Sequence, residues 1–277
     1  MPRNNQGRLD NKPETGAEAP PQNADALLNF VTPTEFVELP TKGKFYSQNH
    51  PLKDEETVEI KFMTARETDL LTSKTLLKKG VAIDRMLESV LVDKSIKVRD
   101  LFIGDKNSIL IAARISGFGA SYDANITCKN CGQVGEQHFD LQDVARKELD
   151  EDIEFTENGT FFVDLPTSKI RAECKLLTGA DEDWLMKKME KKRKLKLAES
   201  LLTDQLKLII VSLEGVTERG PVENFVDVMP AKDSNYLRKE YDRVKPDIDL
   251  SYLFECESCD ASNNVNIPFS TNFFWPE

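Results

Sequence analysis

The sequence has few cysteines and no long apolar run, and each shortage excludes a class of protein. Five cysteines in 277 residues are too few for a scaffold held together by disulfides. No apolar stretch reaches the roughly 20 residues that span a bilayer, and no charged-then-apolar leader opens the chain. We therefore expect a soluble protein that is not exported and has no membrane partner.

Positive charge is also scarce. The chain has 37 Lys and Arg against 48 Asp and Glu, a net charge of −11. Because binding a phosphate backbone needs a basic surface, nucleic acid is not expected to be the main partner. The only histidines are His50 and His138, and no Ser-His-Asp or paired-carboxylate arrangement stands out. The residues alone therefore identify no catalytic site and no small-molecule substrate.

The N-terminal stretch differs in composition from the rest of the chain. Residues 1–27 are rich in Pro, Asn, Gln, Gly and charged residues and contain almost nothing to bury. This composition is typical of a disordered tail. The tail is either solvated or an arm that becomes ordered on a partner.

After the tail, several phrases occur twice in the same order. "FVELPTKGK" begins at Phe36 and "FVDLPTSKI" at Phe162, and each pattern predicts a strand that ends in a turn. A second strand follows in both places, and then a threonine with an acidic residue three positions later. The spacing at Thr64 and Thr178 is that of a capping box, which predicts a helix start.

The parallel continues towards the cysteines. Asp105 and Asp233 are each predicted to N-cap a further helix, and each lies 23 residues before a Cys-x-x-Cys turn. We infer an internal duplication, with one half at residues 28–150 and the other at 151–277. The predicted fold class is α+β, with two related halves that each contain a strand hairpin, helices and a cysteine turn.

The two Cys-x-x-Cys turns predict one metal site. They supply four thiols, and zinc in structural sites takes four ligands in a tetrahedron. The turns are 125 positions apart, far beyond the roughly 15–20 residues of an ordinary ribbon, but two facing halves bring equivalent turns together. We expect one structural zinc per chain, closed to substrate. The predicted ligands are Cys128, Cys131, Cys256 and Cys259.

Other interpretations of the cysteines stay open at this point. They are a redox dithiol, a four-thiolate iron site, a metal shared between protomers, and four unligated thiols. Cys174, in "RAECKLL", is predicted to be an ordinary buried thiol. His138 lies near the first turn, where a half-exposed strand position is favoured over a role as a fifth ligand or beside the metal.

Two further segments are candidate interaction sites. The basic run at 187–196 is interpreted as a solvated helix or loop, but it also supports a rival function, a zinc-stabilised nucleic-acid-binding or regulatory adaptor. The chain ends in "FFWPE", and large aromatic residues concentrate binding energy. Phe273, Phe274 and Trp275 are therefore candidates for binding a neighbouring subunit, the alternative being that they dock onto the chain's own core.

Several of these phrases together resemble a known family. "FVELPTKGKFY", "VEIKFMTARETDLLTSKTLLKKG", "DKNSILIAARISGFG", "CKNCG" and the terminal "FFWP" are similar to the baseplate hub family of T4-like contractile-tailed bacteriophages. The resemblance implies a hub component or hub assembly factor without enzyme activity. It implies other baseplate, hub and tail proteins as partners, synthesis in the host cytoplasm and a place in the virion tail.

Overall fold

This computed structural model describes residues 31–147, 153–198, 200–267 and 271–274. Its helices and strands begin and end largely where local sequence signals place them. The predicted tail at 1–27 lies outside these ranges. The helices are α1 (Ala65–Thr72), α2 (Lys74–Lys79), α3 (Ala82–Val90), α4 (Ile103–Phe118), α5 (Gly179–Lys194), α6 (Leu201–Ile209), α7 (Arg219–Val228) and α8 (Ala231–Val244). None of the helices in these ranges combines the length and hydropathy that a bilayer-spanning segment needs.

The strands form small antiparallel sheets. They are β1 (Thr34–Glu38), β2 (Thr57–Lys61), β3 (Ser121–Thr127), β4 (Val134–Asp140), β5 (Ala145–Lys147), β6 (Thr160–Asp164), β7 (Arg171–Lys175), β8 (Ile210–Leu213), β9 (Asp247–Asp249), β10 (Ser251–Glu255) and β11 (Ser262–Asn266). The pairs are β1–β2, β3–β4, β5–β9 and β10–β11, and β6–β7–β8 form a three-stranded sheet. The chain is therefore mixed α+β, as predicted.

Two hydrophobic clusters form the core. The first contains residues from β1 to the end of β4, such as Ile60 and Met86, but also the C-terminal hairpin residues Phe254 and Val265. The second contains residues from β6 to α8, together with Phe45 from the region after β1. The C-terminal hairpin thus packs with the N-terminal cluster, so both ends of the described chain contribute to one core.

The capping boxes are confirmed at both predicted positions. The backbone N–H of Thr64 donates to the carboxylate of Glu67 at 2.9 Å, and that of Thr178 donates to Asp181 at 3.0 Å. Each acidic side chain satisfies an N–H group that the first turn of a helix leaves without a partner. These short-range signals place the starts of α1 and α5.

The prediction that Asp105 and Asp233 are N-caps is wrong. The N-cap residues of α4 and α8 are Phe102 and Pro230, so each aspartate occupies the third position inside its helix. Both side chains are fully buried. A carboxylate at this position can accept hydrogen bonds from groups outside its own helix. Asp105 and Asp233 both accept them from a turn that follows an earlier strand.

The two aspartates bind equivalent turns. The carboxylate of Asp105 accepts from the backbone N–H of Thr41 at 3.0 Å and from its hydroxyl at 2.6 Å. The carboxylate of Asp233 accepts from the backbone N–H groups of Thr167 and Ser168 at 2.7 and 2.9 Å. Thr41 and Thr167 each follow the dipeptide Leu-Pro, so each aspartate fixes a long helix to a Leu-Pro-Thr turn earlier in the chain.

Glu67 predicts an acid-sensitive contribution to stability. Its buried carboxylate lies 3.1 Å from the Lys61 ammonium and accepts hydrogen bonds from Thr64 and Ser89. Burial alone raises the pKa of Glu67, but the hydrogen bonds of its polar neighbours outweigh burial and lower the pKa from 4.5 to about 2. Because the folded-state pKa is the lower one, the carboxylate stabilises the fold above the unfolded-state value, by on the order of 3 kcal/mol.

We expect this contribution to disappear as the pH falls from 4.5 towards 2. The difference in unfolding free energy between the wild-type chain and Glu67→Gln, measured in urea, should be large at pH 7 and close to zero at the acid end. Glu136→Gln, at an exposed position of β4, is the control and should match the wild type throughout. If the difference in unfolding free energy between Glu67→Gln and the wild type did not change with pH, the ionised carboxylate of Glu67 would not be what stabilises the fold.

Candidate metal centre

The candidate centre is built from two hairpin turns with the same backbone pattern. In the first, the N–H of Cys128 donates to the Gln133 carbonyl at 2.8 Å and the N–H of Gly132 to the Cys128 carbonyl at 2.9 Å. In the second, the N–H of Cys256 donates to the Ala261 carbonyl at 3.1 Å, and the Cys256 carbonyl accepts from the N–H of Asp260 at 2.9 Å. Each turn closes a strand pair, β3–β4 or β10–β11.

The backbone conformation explains the residue after each cysteine pair. Gly132 has φ of +74° and Asp260 has φ of +51°. This left-handed region costs glycine nothing and is tolerated by aspartate better than by most residues. Such a turn points its two cysteine side chains to the same side, which is the geometry of a zinc knuckle.

The four sulfur atoms lie together. All are within 4.8 Å of one another, with Cys128 Sγ 3.8 Å from Cys259 Sγ and Cys131 Sγ 3.7 Å from Cys256 Sγ. Four sulfurs at the Zn–S distance of about 2.3 Å form a tetrahedron with edges of about 3.8 Å. The two measured pairs match this edge, so the set fits a zinc ion, and it belongs to one chain.

The ionisation of the thiols also favours a cation. Backbone N–H groups of Cys131 and Asn130 lower the pKa of the Cys128 thiol to about 6. The N–H of Gln133 acts on Cys131 in the same direction, but the adjacent thiols, Cys259 first, raise the pKa of Cys131 to about 12. Four adjacent thiols cannot all ionise unless positive charge neutralises them, and a metal ion supplies that charge.

Two asparagines complete the surroundings of the sulfur atoms. The Asn130 amide donates to Cys259 Sγ at 3.5 Å, and the Asn263 amide lies 3.8 Å from Cys128 Sγ. Each asparagine bonds the opposite hairpin, so these contacts also join the two turns. Sequence reasoning missed both residues. The position of Asn130 inside the first Cys-x-x-Cys turn could have indicated its contact with the sulfur atoms. The contact of Asn263 could not be predicted, because it depends on how the two hairpins pack together.

The centre is closed on its inner side. Cys128 and Cys256 are buried in the first hydrophobic cluster, whereas Cys131 is exposed and Cys259 partly exposed. A four-thiolate set leaves no open coordination position for substrate. Both turns join two strands. A thioredoxin-type dithiol instead needs its Cys-x-x-Cys at the start of a helix. The geometry therefore fits a structural metal better than redox chemistry.

The remaining cysteine and the histidine near the first turn lie elsewhere. Cys174 is fully buried on β7, and burial raises the pKa of its thiol to about 12, as expected of an inert core residue. His138 is exposed on β4, where its Nδ1 lies 2.7 Å from the Asp123 carboxylate across the hairpin. Neither side chain belongs to the four-cysteine set.

The terminal aromatic residues are placed in the core where they are described. Phe273 and Phe274 are 1% and 2% exposed, and the Phe273 ring packs edge-on against Tyr122 at 5.1 Å. The guanidinium of Arg114 donates to the Phe273 carbonyl. Trp275 lies outside the described residues. This placement favours docking onto the chain's own core, and an anchoring role would require Phe273 and Phe274 to leave it.

The fold and the cysteine set define a mixed α+β protein with a candidate tetrathiolate metal centre. The family described as T4 bacteriophage base plate protein matches residues 33–275, which is nearly the whole chain. The chain therefore belongs to this T4-like phage baseplate family, which supports a structural role in the virion tail. No curated protein and no solved structure matches the chain.

Proposed function

We propose that the chain is a component or assembly factor of the baseplate hub of a contractile phage tail. The observation that carries this proposal is the family match over residues 33–275. The hub position rests on the resemblance of the phrases around Phe36 and Val58 to hub proteins. Its partners are other hub, baseplate and tail proteins, it is made in the host cytoplasm, and it has no enzymatic activity.

One structural zinc per chain is the second part of the proposal. It is supported by the fit of the four sulfur atoms to a tetrahedron and by the need to neutralise adjacent thiolates. The residues that would hold the ion are Cys128, Cys131, Cys256 and Cys259. A bound zinc supplies cross-linking energy between the two hairpins and no reactive position, because all four ligands come from the protein.

The third part is the duplication, with halves at 28–150 and 151–277. Its support is the repeated arrangement of equivalent contacts. Each half has a capping box at its first long helix, a buried aspartate bound to a Leu-Pro-Thr turn, and a hairpin that ends in a cysteine knuckle. Two such halves related by a pseudo-twofold axis explain why the cysteine pairs are distant in sequence and adjacent in space.

No observation favours the rival nucleic-acid-binding adaptor. Lys188 and Lys192, in the basic run, lie 2.8 and 2.6 Å from the carboxylate of Asp204. Part of the positive charge is therefore neutralised within the fold. The net charge of −11 further opposes attraction to a phosphate backbone.

The hub role predicts a specific assembly defect. In a phage that lacks this chain, we expect complete baseplates to be absent and infectious particles to fall by orders of magnitude, because a missing hub protein leaves the surrounding subunits without a centre. Electron microscopy of tail structures and plaque counts measure both effects, with the gene supplied in trans as the control. Normal baseplates in the absence of the chain would contradict the proposal.

A further inference from the structure

The C-terminal half of α5 forms a basic surface that the fold leaves uncovered. Of the residues of α5, only Gly179 and Leu185 are buried. Seven of residues 187–198 are Lys or Arg and one is acidic, in a chain whose net charge is −11. We call residues 186–198 together with Leu201 the basic surface.

Three of these cations already have partners. Lys188 and Lys192 both bind the buried carboxylate of Asp204 and so tie α5 to α6. Lys194 pairs with Glu190 one turn earlier at 2.7 Å. The two bonds to Asp204 fix one side of the helix to the fold, whereas the Lys194–Glu190 pair lies on the exposed surface.

Three other cations have no such role. Within the described part of the chain, Lys187, Lys191 and Arg193 are exposed and form no ion pair. Lys187 and Lys191 are four positions apart on one helix face, a spacing at which like charges repel and destabilise a helix. A cation near a helix C-terminus interacts favourably with the helix dipole. The ion-paired lysines of α5 already supply this interaction. Lys187 and Lys191 therefore repel each other in the free chain, and an acidic partner would relieve this repulsion.

Apolar side chains lie among these cations. Met186, Leu195, Leu197 and Leu201 are 64%, 59%, 56% and 45% exposed. Single exposed apolar residues are ordinary, but a group of them rimmed by charge is typical of an interaction surface. The aliphatic character of this group matters, because proteins that bind single-stranded nucleic acid combine a basic groove with exposed aromatic rings on which bases stack. The nearby Trp184 is already contacted by the Lys188 ammonium, 4.4 Å from its ring centre.

We propose that the basic surface binds an acidic protein segment that also carries apolar residues. The cations pair with its carboxylates and the leucines cover its apolar side chains. That the segment belongs to a neighbouring tail protein rests on the proposed hub function. Nucleic acid and a second copy of this chain are the competing occupants, and the test separates them.

The decisive measurement is zero-length cross-linking with a carbodiimide, which joins a lysine amine to a carboxylate only when the two groups touch. Tail assembly complexes that contain the full chain are treated, digested and analysed by mass spectrometry. We expect cross-links from Lys187 and Lys191 to Asp or Glu of another tail protein. Cross-links only to this chain's own carboxylates, to a second copy, or none at these lysines would overturn the proposal.

A matched pair of variants tests whether the charges matter. The triple variant Lys187→Gln, Lys191→Gln and Arg193→Gln removes three exposed charges from α5. We expect it to keep its fold and bound metal but to weaken association with the tail complex about tenfold or more, with the wild-type association falling as salt rises. A variant that associates normally, or whose loss is instead one of nucleic-acid binding, would overturn the proposal.

The control removes the same charge from another exposed helix. Lys74, Lys78 and Lys79 of α2 are exposed, and their triple Gln variant should associate like the wild type. Equal losses in both variants would mean that only net charge matters and would overturn a defined site. Failure of the hub function is recognised separately, since baseplates would then form without the chain.

Discussion

Replacing Cys128 or Cys256 with serine is expected to abolish zinc binding and to destabilise the whole chain. Each substitution removes one of four thiolates and leaves the others without enough ligands for a tetrahedral ion. Metal binding to the folded state adds directly to its stability. The loss should reach about 4 kcal/mol when free zinc is a thousandfold above the dissociation constant. Native mass spectrometry gives zinc per chain, and urea unfolding gives the change in free energy.

Cys174 provides the control for this experiment. It is a cysteine of the same chain, buried on β7 and outside the four-cysteine set, so Cys174→Ala should keep one zinc per monomer. A single-site centre would be contradicted if either serine variant retained its full metal content. Zinc found only in a dimer would mean that the cysteine pairs meet across chains.

Replacing Phe273 with alanine is expected to lower the unfolding free energy by about 3–5 kcal/mol, the usual cost of emptying a buried aromatic site. The ring is 1% exposed and lies against Tyr122 and Phe274. The loss should appear in the purified chain, without any partner, as a lower urea midpoint at an unchanged m-value.

Phe36 is the matched control for this substitution. It is also a phenylalanine, but it is 71% exposed on β1, so Phe36→Ala should change stability by less than about 0.5 kcal/mol. If Phe273→Ala left the chain's stability intact and instead blocked tail assembly, the terminal turn would be an anchor for a neighbouring subunit, not part of the core.

The sequence was most informative where the signal was local. The capping boxes at Thr64 and Thr178 depend on residues three positions apart, and a Cys-x-x-Cys turn depends on one hairpin tip. The meeting of the two turns was predicted only through the repeated phrases, because no local pattern links Cys131 to Cys256. The proximity of all four sulfurs agrees with that prediction, while the duplication and the zinc remain proposals.

Other long-range contacts were beyond sequence reasoning. Asp105 was assigned to a helix cap because an aspartate near a helix start usually has that role, yet its partner Thr41 is 64 residues away. The pairing of β5 with β9 involves two strands of three residues each, too short for a recognisable alternation. The contact of Asn263 with Cys128 also depends on how the hairpins face each other, which composition does not encode.

The division of the core has a consequence for synthesis on the ribosome. The N-terminal cluster includes Phe254, Val265 and Phe273, which are translated after every residue of the other cluster. All the residues of the other cluster, Phe45 included, have been translated once α8 has emerged. Although domains generally fold in the order of translation, here the later-translated cluster can close first. The N-terminal region must wait for the hairpin residues of β10 and β11, and until then it exposes apolar surface that host chaperones can bind.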